Sequence, residues 1–422
     1  MSTSQPQRIG FSPQRLARVD NLLQRYVQGG LLPGALGLIY RKGEVAYAGA
    51  FGKRDIEAGR PMTEDTIFRI YSMTKPVTAV AALMLFEDGH FLLDDPVATY
   101  LPEFEDAQVF TGDLENLEPL QRSITVKDLF MHTAGLSYGW NPDSPVDKMY
   151  RKQVGDRAKR PLDTVVQKLA RLPLLYHPGT RWHYSLATDV LGRLVEVLSG
   201  QPLDAFFRQE IFNPLAMHDT AFHVPAGSLE RFSACYCPLG GFSLGRDLGR
   251  NSRTRNAPAE DVDGSGELKI ELHESPGASR FAQPPVFLSG GGGLVSTIGD
   301  YLRFAQMLLH GGALDGARLL GRKTIDTMRA NHLPTELVPI LLNGVPNAGY
   351  GFGLGVSVLV DLPASSAPGS TGIFGWGGAA STQFWIDPEE DMLGIFMTQF
   401  MPSGHYPVTR EFRVAAYQAL VA

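Results

Sequence analysis

Ser72 and Lys75 stand three residues apart in the segment Tyr71-Ser72-Met73-Thr74-Lys75-Pro76. A proline is comfortable only near a helix start, so Pro76 places both residues in a first turn. A spacing of three then puts amine and hydroxyl on one face. The helix N-terminus also aims free N–H groups and its positive dipole end at the space beside Ser72. A hydroxyl with a proton acceptor in reach is an activated nucleophile. A free lysine amine, with a pKa near 10.4, costs roughly 4.6 kcal/mol to deprotonate at pH 7. A second titrating group is therefore expected to share the proton. Tyr184, in Gly179-Thr180-Arg181-Trp182-His183-Tyr184-Ser185 just before a helical run, is the candidate.

A third element is Phe374-Gly375-Trp376-Gly377-Gly378-Ala379, followed by the strand-like run Thr382–Ile386. Glycine-rich backbone beside a strand permits close approach of a ligand and leaves N–H donors free, as an oxyanion hole requires. Two Gly-x-Ser-x-Gly matches compete with Ser72, one around Ser137 (Gly135 to Gly139) and one around Ser243 (Gly241 to Gly245). A nucleophile elbow needs a strand before it and a helix after it, and neither match has that setting. The order Ser243, Asp387, His405 makes a triad only by force. A second glycine run, Ser289–Gly293, precedes a helix but has no P-loop lysine, which argues against phosphate binding.

These residues need a scaffold. Ser12-Pro13 opens an amphipathic helix with Leu16, Val19, Leu22, Leu23, Tyr26 and Val27 on one face, stopped by Gly29-Gly30. Ala35–Tyr40 and Val45–Phe51 read as a hairpin across a short polar turn. Gly351–Val360, Thr382–Ile386 and Met392–Gln399 read as strands, and Thr409–Val421 as a helix. Between the ends, Val77–Asp88, Thr125–Met131, Pro161–Arg171 and Ala187–Leu198 read as helices. Val77–Phe86 is apolar nearly all round, so it belongs at the centre of the fold. The expected class is α+β, an antiparallel sheet from both chain ends with a mostly helical insertion. The expected division is an α/β domain of residues 1–75 and 286–422 and an inserted domain of residues 76–285, with the site between them.

Composition narrows the function. The 422 residues are 44% hydrophobic and 19% charged, which suits a globular chain and excludes wholesale disorder. A net charge of −6 argues against a nucleic-acid surface. Gly240–Gly266, with Arg246, Arg250, Arg253 and Arg255, reads as a solvated loop. Cys235 and Cys237 read as two buried thiols, and no metal-ligand spacing accompanies them. Met1–Ile9 is polar, and the longest apolar stretch is too short for a membrane span, so the cytoplasm is the expected location.

Taken in order, Ser72-x-x-Lys75, Tyr184-Ser185 and Trp376-Gly377-Gly378 resemble the serine β-lactamase and penicillin-binding-protein superfamily, and within it the family VIII carboxylesterases and class C β-lactamases. The likeness extends over Phe68–Pro102, His132–Leu136, Pro178–Gly200, Ser289–Leu309 and Gly349–Gln399. It implies a β-lactamase/transpeptidase-like fold with Ser72 as the acylated nucleophile and Lys75 and Tyr184 as the proton-handling pair. It further implies the backbone N–H groups of Ser72 and Ala379 as oxyanion hole, no cofactor and no metal. β-Lactamases usually carry an Asn where this chain has Leu186, and Lys-Thr-Gly where it has Trp376-Gly377-Gly378. Those departures remove an amide donor and a cation, leaving Leu186, Trp376, Gly377 and Gly378 as candidate substrate contacts for a neutral, apolar acyl group. The expected activity is a carboxylesterase acting on a small-molecule ester, with weak β-lactam hydrolysis as a side reaction. The alternatives are an acyltransferase of the statin-biosynthesis type and a β-lactamase or penicillin-binding module.

Overall fold

The structure, a computed structural model, describes residues 5–243, 268–342 and 344–422. Its main sheet is built from Gly34–Arg41 (β1), Glu44–Asp55 (β2), Arg60–Pro61 (β3), Tyr350–Phe352 (β4), Ser357–Leu359 (β5), Phe374–Gly377 (β6), Gln383–Asp387 (β7) and Met392–Met397 (β8). The order across it is β4-β5-β6-β7-β8-β1-β2-β3, every pair antiparallel. The β1–β2 hairpin turns at Lys42-Gly43, both at positive φ. β1 lies inside the sheet and every one of its residues is buried. Alternation sends Leu36, Leu38 and Tyr40 into one core and Ala35 and Ile39 into the other.

The principal helices are Pro13–Gln28 (α1), Thr74–Glu87 (α2), Val126–Met131 (α3), Pro145–Val154 (α4), Leu162–Ala170 (α5), Ala187–Ser199 (α6), Ile298–Leu309 (α7) and Val408–Tyr417 (α8). Ser12 caps α1 by accepting from the Arg15 amide, and α1 and α8 pack together over the Ala35/Ile39 face. On the opposite face α7 crosses β7 and β8, with the Tyr301 and Phe384 rings 5.1 Å apart. Beneath lies α2, buried all round and packed on α6, which in turn packs on α3. Val77, Val80 and Leu83 are fully buried there, each contributing about 1.5–3 kcal/mol, so the helix that begins at the site cannot drift.

The fold is α+β, one large antiparallel sheet with helices on it. Some local readings change. Gly351–Val360 is the hairpin β4–β5 rather than one strand, because Gly355 takes a φ of +84° that lets the run fold back. The last helix ends at Tyr417, short of Val421. Helix α4 was not foreseen, although Ser144-Pro145 is an N-cap followed by an N1 proline, with the Ser144 hydroxyl accepting from the Asp147 amide. Cys235 and Cys237 are buried free thiols on the short strand Cys235–Pro238. Residues 244–267, which hold Arg246, Arg250, Arg253 and Arg255, lie outside the described residues. Among the described residues no helix is long and apolar enough to cross a membrane.

Candidate active site

The backbone leading to Ser72 is pinned before the serine is reached. Phe68–Arg69 pairs with Val295–Ser296. The fully buried Arg69 guanidinium bonds Glu274 at 2.6 Å, the Ser233 carbonyl at 2.6 Å and the Gln399 side chain at 3.1 Å, and lies over the Phe232 ring. Tyr71 then takes a φ of +41°, a costly conformation for a bulky residue, while its ring meets Phe281 edge-on. Ser72 occupies a 3₁₀ turn, Tyr71–Met73, that runs directly into α2 at Thr74. The serine therefore sits just ahead of the α-helix, with Lys75 in the helix's first turn. Tyr301 locks the junction by donating to the Met73 carbonyl at 2.9 Å.

Ser72 is partly exposed, whereas Lys75 is 1% exposed. The Lys75 amine reaches three oxygens: Ser72 Oγ at 3.3 Å, Tyr138 Oη at 2.9 Å and the Gly291 carbonyl at 2.6 Å. Among the described residues it has no ion-pair partner, so hydrogen bonds and the flanking tyrosine rings fix its direction. Its Nζ also lies 4.6 Å from the centroid of the Tyr184 ring. Tyr184 lies beside Lys75 through its ring, while its hydroxyl accepts from the Trp376 indole N–H at 3.3 Å and makes no hydrogen bond to Ser72 or Lys75. The ring is stacked on Trp182 and meets His132 edge-on, 4.9 Å between centroids.

Burial, the Tyr184 hydroxyl and the Asp189 carboxylate together push the Tyr138 phenol well above its ordinary pKa, in that order of weight, so Tyr138 stays protonated. Burial first, then the Lys75 charge, drives His132 well below the usual imidazole range. The histidine is accordingly a neutral wall and no competitor for the proton.

The second side of the site is β6 and the turn beyond it. A Cβ on Gly378 would collide with the Ile70 carbonyl, so glycine is what lets the end of β6 lie against the segment feeding Ser72. The Ser72 and Ala379 amides donate no hydrogen bond to any described residue. Trp376, 7% exposed, is mostly buried and brackets Tyr184. Leu186, 1% exposed, is the N-cap residue of α6 and sunk in the core, so it presents little surface to a substrate.

Ser137 is sealed at 1% exposure, donating to Asp147 at 2.5 Å and accepting from the Gly139 amide. Leu244 and Gly245 of the other Gly-x-Ser-x-Gly match lie outside the described residues. Asp387 is taken up by the Tyr417 hydroxyl at 2.5 Å, and His405 packs on Phe400 and Tyr406. Among the described residues no group of three or more His, Cys, Asp or Glu could hold a metal. Sequence reasoning missed Tyr138, Gly291 and Asp189. The signals were present but set aside, Tyr138 inside the Ser137 match and Gly291 inside the second glycine run.

The Beta-lactamase family model matches residues 19–419. Protein Rv1367c of Mycobacterium tuberculosis is 35% identical over 388 residues, covering 90% of this chain and 89% of its own. Esterase EstB of Burkholderia gladioli is 31% identical over 420 residues, covering 95% of each chain. The solved structure of EstCE1, described as a hydrolase with promiscuous acyltransferase activity, superposes with a TM-score of 0.76 at 27% identity, over 96% of this chain and 99% of that one. With a partly exposed serine beside a buried amine and a likeness that runs almost end to end, the chain belongs to the Beta-lactamase family and is a serine hydrolase.

Proposed function

We propose that this enzyme is a carboxylesterase that cleaves short-chain acyl esters through an acyl-Ser72 intermediate. The observation that carries the reading is the 3.3 Å approach of the buried Lys75 amine to the hydroxyl of a partly exposed serine. Ser72 Oγ attacks the ester carbonyl carbon while its proton passes to the Lys75–Tyr184 pair. The free Ser72 and Ala379 amides receive the oxyanion. Collapse breaks the C–O bond, and the departing alcohol takes the proton back. Water then attacks the acyl-serine, gives a proton to the same pair, and releases the carboxylic acid and the restored serine. Tyr138, held protonated, keeps the amine aimed.

The acyl group is neutral and apolar. Trp376 stands where a strand lysine would meet a substrate carboxylate, and Leu186 where an amide donor would be. Nitrocefin turnover is accordingly expected to lag far behind ester turnover. A second reading, acyl transfer to an alcohol, is favoured by the likeness to EstCE1. Supplying alcohols and weighing ester product against free acid separates the two.

Steady hydrolysis of a short nitrophenyl ester, abolished in Ser72→Ala and retained in Ser243→Ala, is the expected pattern. Peptide mapping after a phosphonate pulse should find the label on Ser72. A label elsewhere, or an active Ser72→Ala enzyme, overturns the assignment.

A further inference from the structure

The glycine run Ser289–Gly293 takes no part in the scheme above, yet its backbone reads the start of α2 almost residue by residue. Gly291 accepts from Lys75 at 2.6 Å, Gly290 accepts from the Thr78 hydroxyl at 2.7 Å, and the Leu294 amide donates to the Thr74 hydroxyl at 3.1 Å. Positions 74, 75 and 78 lie on adjoining faces of one helical turn, so the loop is laid along the amine's own turn.

What holds the loop is Asp189, from the first turn of α6. Its Oδ1 accepts from the Ser289 hydroxyl at 2.6 Å and from the Gly291 amide at 3.1 Å. Residue 291 is thus gripped at its N–H by Asp189 and at its carbonyl by Lys75. No side chain fits there, because a Cβ on Gly291 would come within 2.8 Å of Asp189 Oδ2 and 3.3 Å of the Tyr138 hydroxyl. Asp189 is 1% exposed and, among the described residues, has no ion-pair partner. Burying a carboxylate without an ion pair is expensive unless its oxygens are hydrogen-bonded, and the bonds from Ser289 and Gly291 are the compensation it finds here.

We propose that Asp189 is a positioning residue for Lys75, acting through Gly291. By fixing the loop, it orients the Gly291 carbonyl, which turns the amine toward Ser72 rather than along the helix. The proposal rests on the reading of Ser72 and Lys75 given under Proposed function. Asp189 does not touch the substrate, and its effect is on the rate of proton removal, not on ester binding.

The test uses the full chain, a short nitrophenyl ester, and thermal unfolding of every variant. Asp189→Leu removes both accepted bonds and is expected to lower kcat about 100-fold, the scale of a roughly 1 Å misplacement, with KM little changed. Asp189→Asn keeps an oxygen that accepts the same two bonds and is expected to restore most of kcat. An Asp189→Leu enzyme with wild-type kcat overturns the proposal. So does an equal loss in Asp189→Asn, which would make charge, not orientation, the cause. Should Asp189→Leu fail to fold, Ser289→Ala removes one bond alone and is expected to reduce kcat at unchanged KM; an unchanged kcat there overturns the proposal. Ser72→Ala is run alongside. If it is active, the underlying reading falls; if it is dead while Asp189→Leu is unimpaired, only the Asp189 role falls.

Discussion

Ser72 and Ser137 are both serines hydrogen-bonded to an ionisable side chain, and their surroundings make them opposites. Ser137 gives its proton to a carboxylate oxygen of Asp147, takes the Gly139 amide in return, and is closed to solvent. Asp147 also accepts from the Asn141 amide at 2.8 Å, so the whole cluster serves to shape the turn into α4. Ser72 has the Lys75 amine as its hydrogen-bond partner, stands beside an unpartnered amide, and is reachable. Both serines sit in motif matches, and surroundings favour the second. A hydroxyl becomes a nucleophile when its neighbour can accept the proton and a substrate can arrive. The two regions are also coupled, because Tyr138, next to Ser137 in sequence, is what reaches Lys75.

The comparison breaks most sharply on activity. Ser72→Ala is expected to cost at least about 10³-fold in kcat, while Ser137→Ala changes kcat little and instead loses about 1–3 kcal/mol of stability, because buried Asp147 is left short of a donor. Denaturant unfolding beside the ester assay checks both halves. Ala379→Pro deletes one of the two unpartnered amides and should lower kcat about 10²–10³-fold. Tyr138→Phe removes one bond to the Lys75 amine, and a loss of about 10–100-fold in kcat follows from the usual worth of a charge-assisted hydrogen bond.

The smallest expected effect is a pH dependence of stability. His132 is held below its unfolded pKa of about 6.5 by burial and then by Lys75, and burial lowers His183 in the same direction. The unfolded chain therefore binds protons that the native one refuses as pH falls below about 6.5. Stability is complete above that value and drops below it, by at most about 1.4 kcal/mol per pH unit for each histidine. His132→Phe should flatten the fall in unfolding midpoint between pH 7.5 and 5.5; an unchanged slope would count against His132.

What could be read from the sequence was what local geometry dictates. The Ser72–Lys75 pair follows from a three-residue helical spacing, the β1–β2 hairpin from alternation across a short turn, and α2 from an unbroken apolar surface. What could not be read depends on packing between distant segments. Tyr138 and Gly291 reach Lys75 across separations of 63 and 216 residues, and no periodicity encodes such a meeting. Trp376 shows the intermediate case. Its position beside the site followed from the Trp-Gly-Gly element, but its N–H bond to Tyr184 exists only once β6 and the segment before α6 are brought together.

The placement of β1 has a consequence for biosynthesis. Leu36 pairs with Met397, so the strand that completes one side of β1 emerges from the ribosome long after the hairpin has formed. Until then β1 offers an open edge of apolar residues, the kind of surface that recruits a stray strand or a chaperone. Contacts of such long range also slow the search for the native topology. Chains released before β8 should accumulate as aggregates, while full-length chains escape that fate.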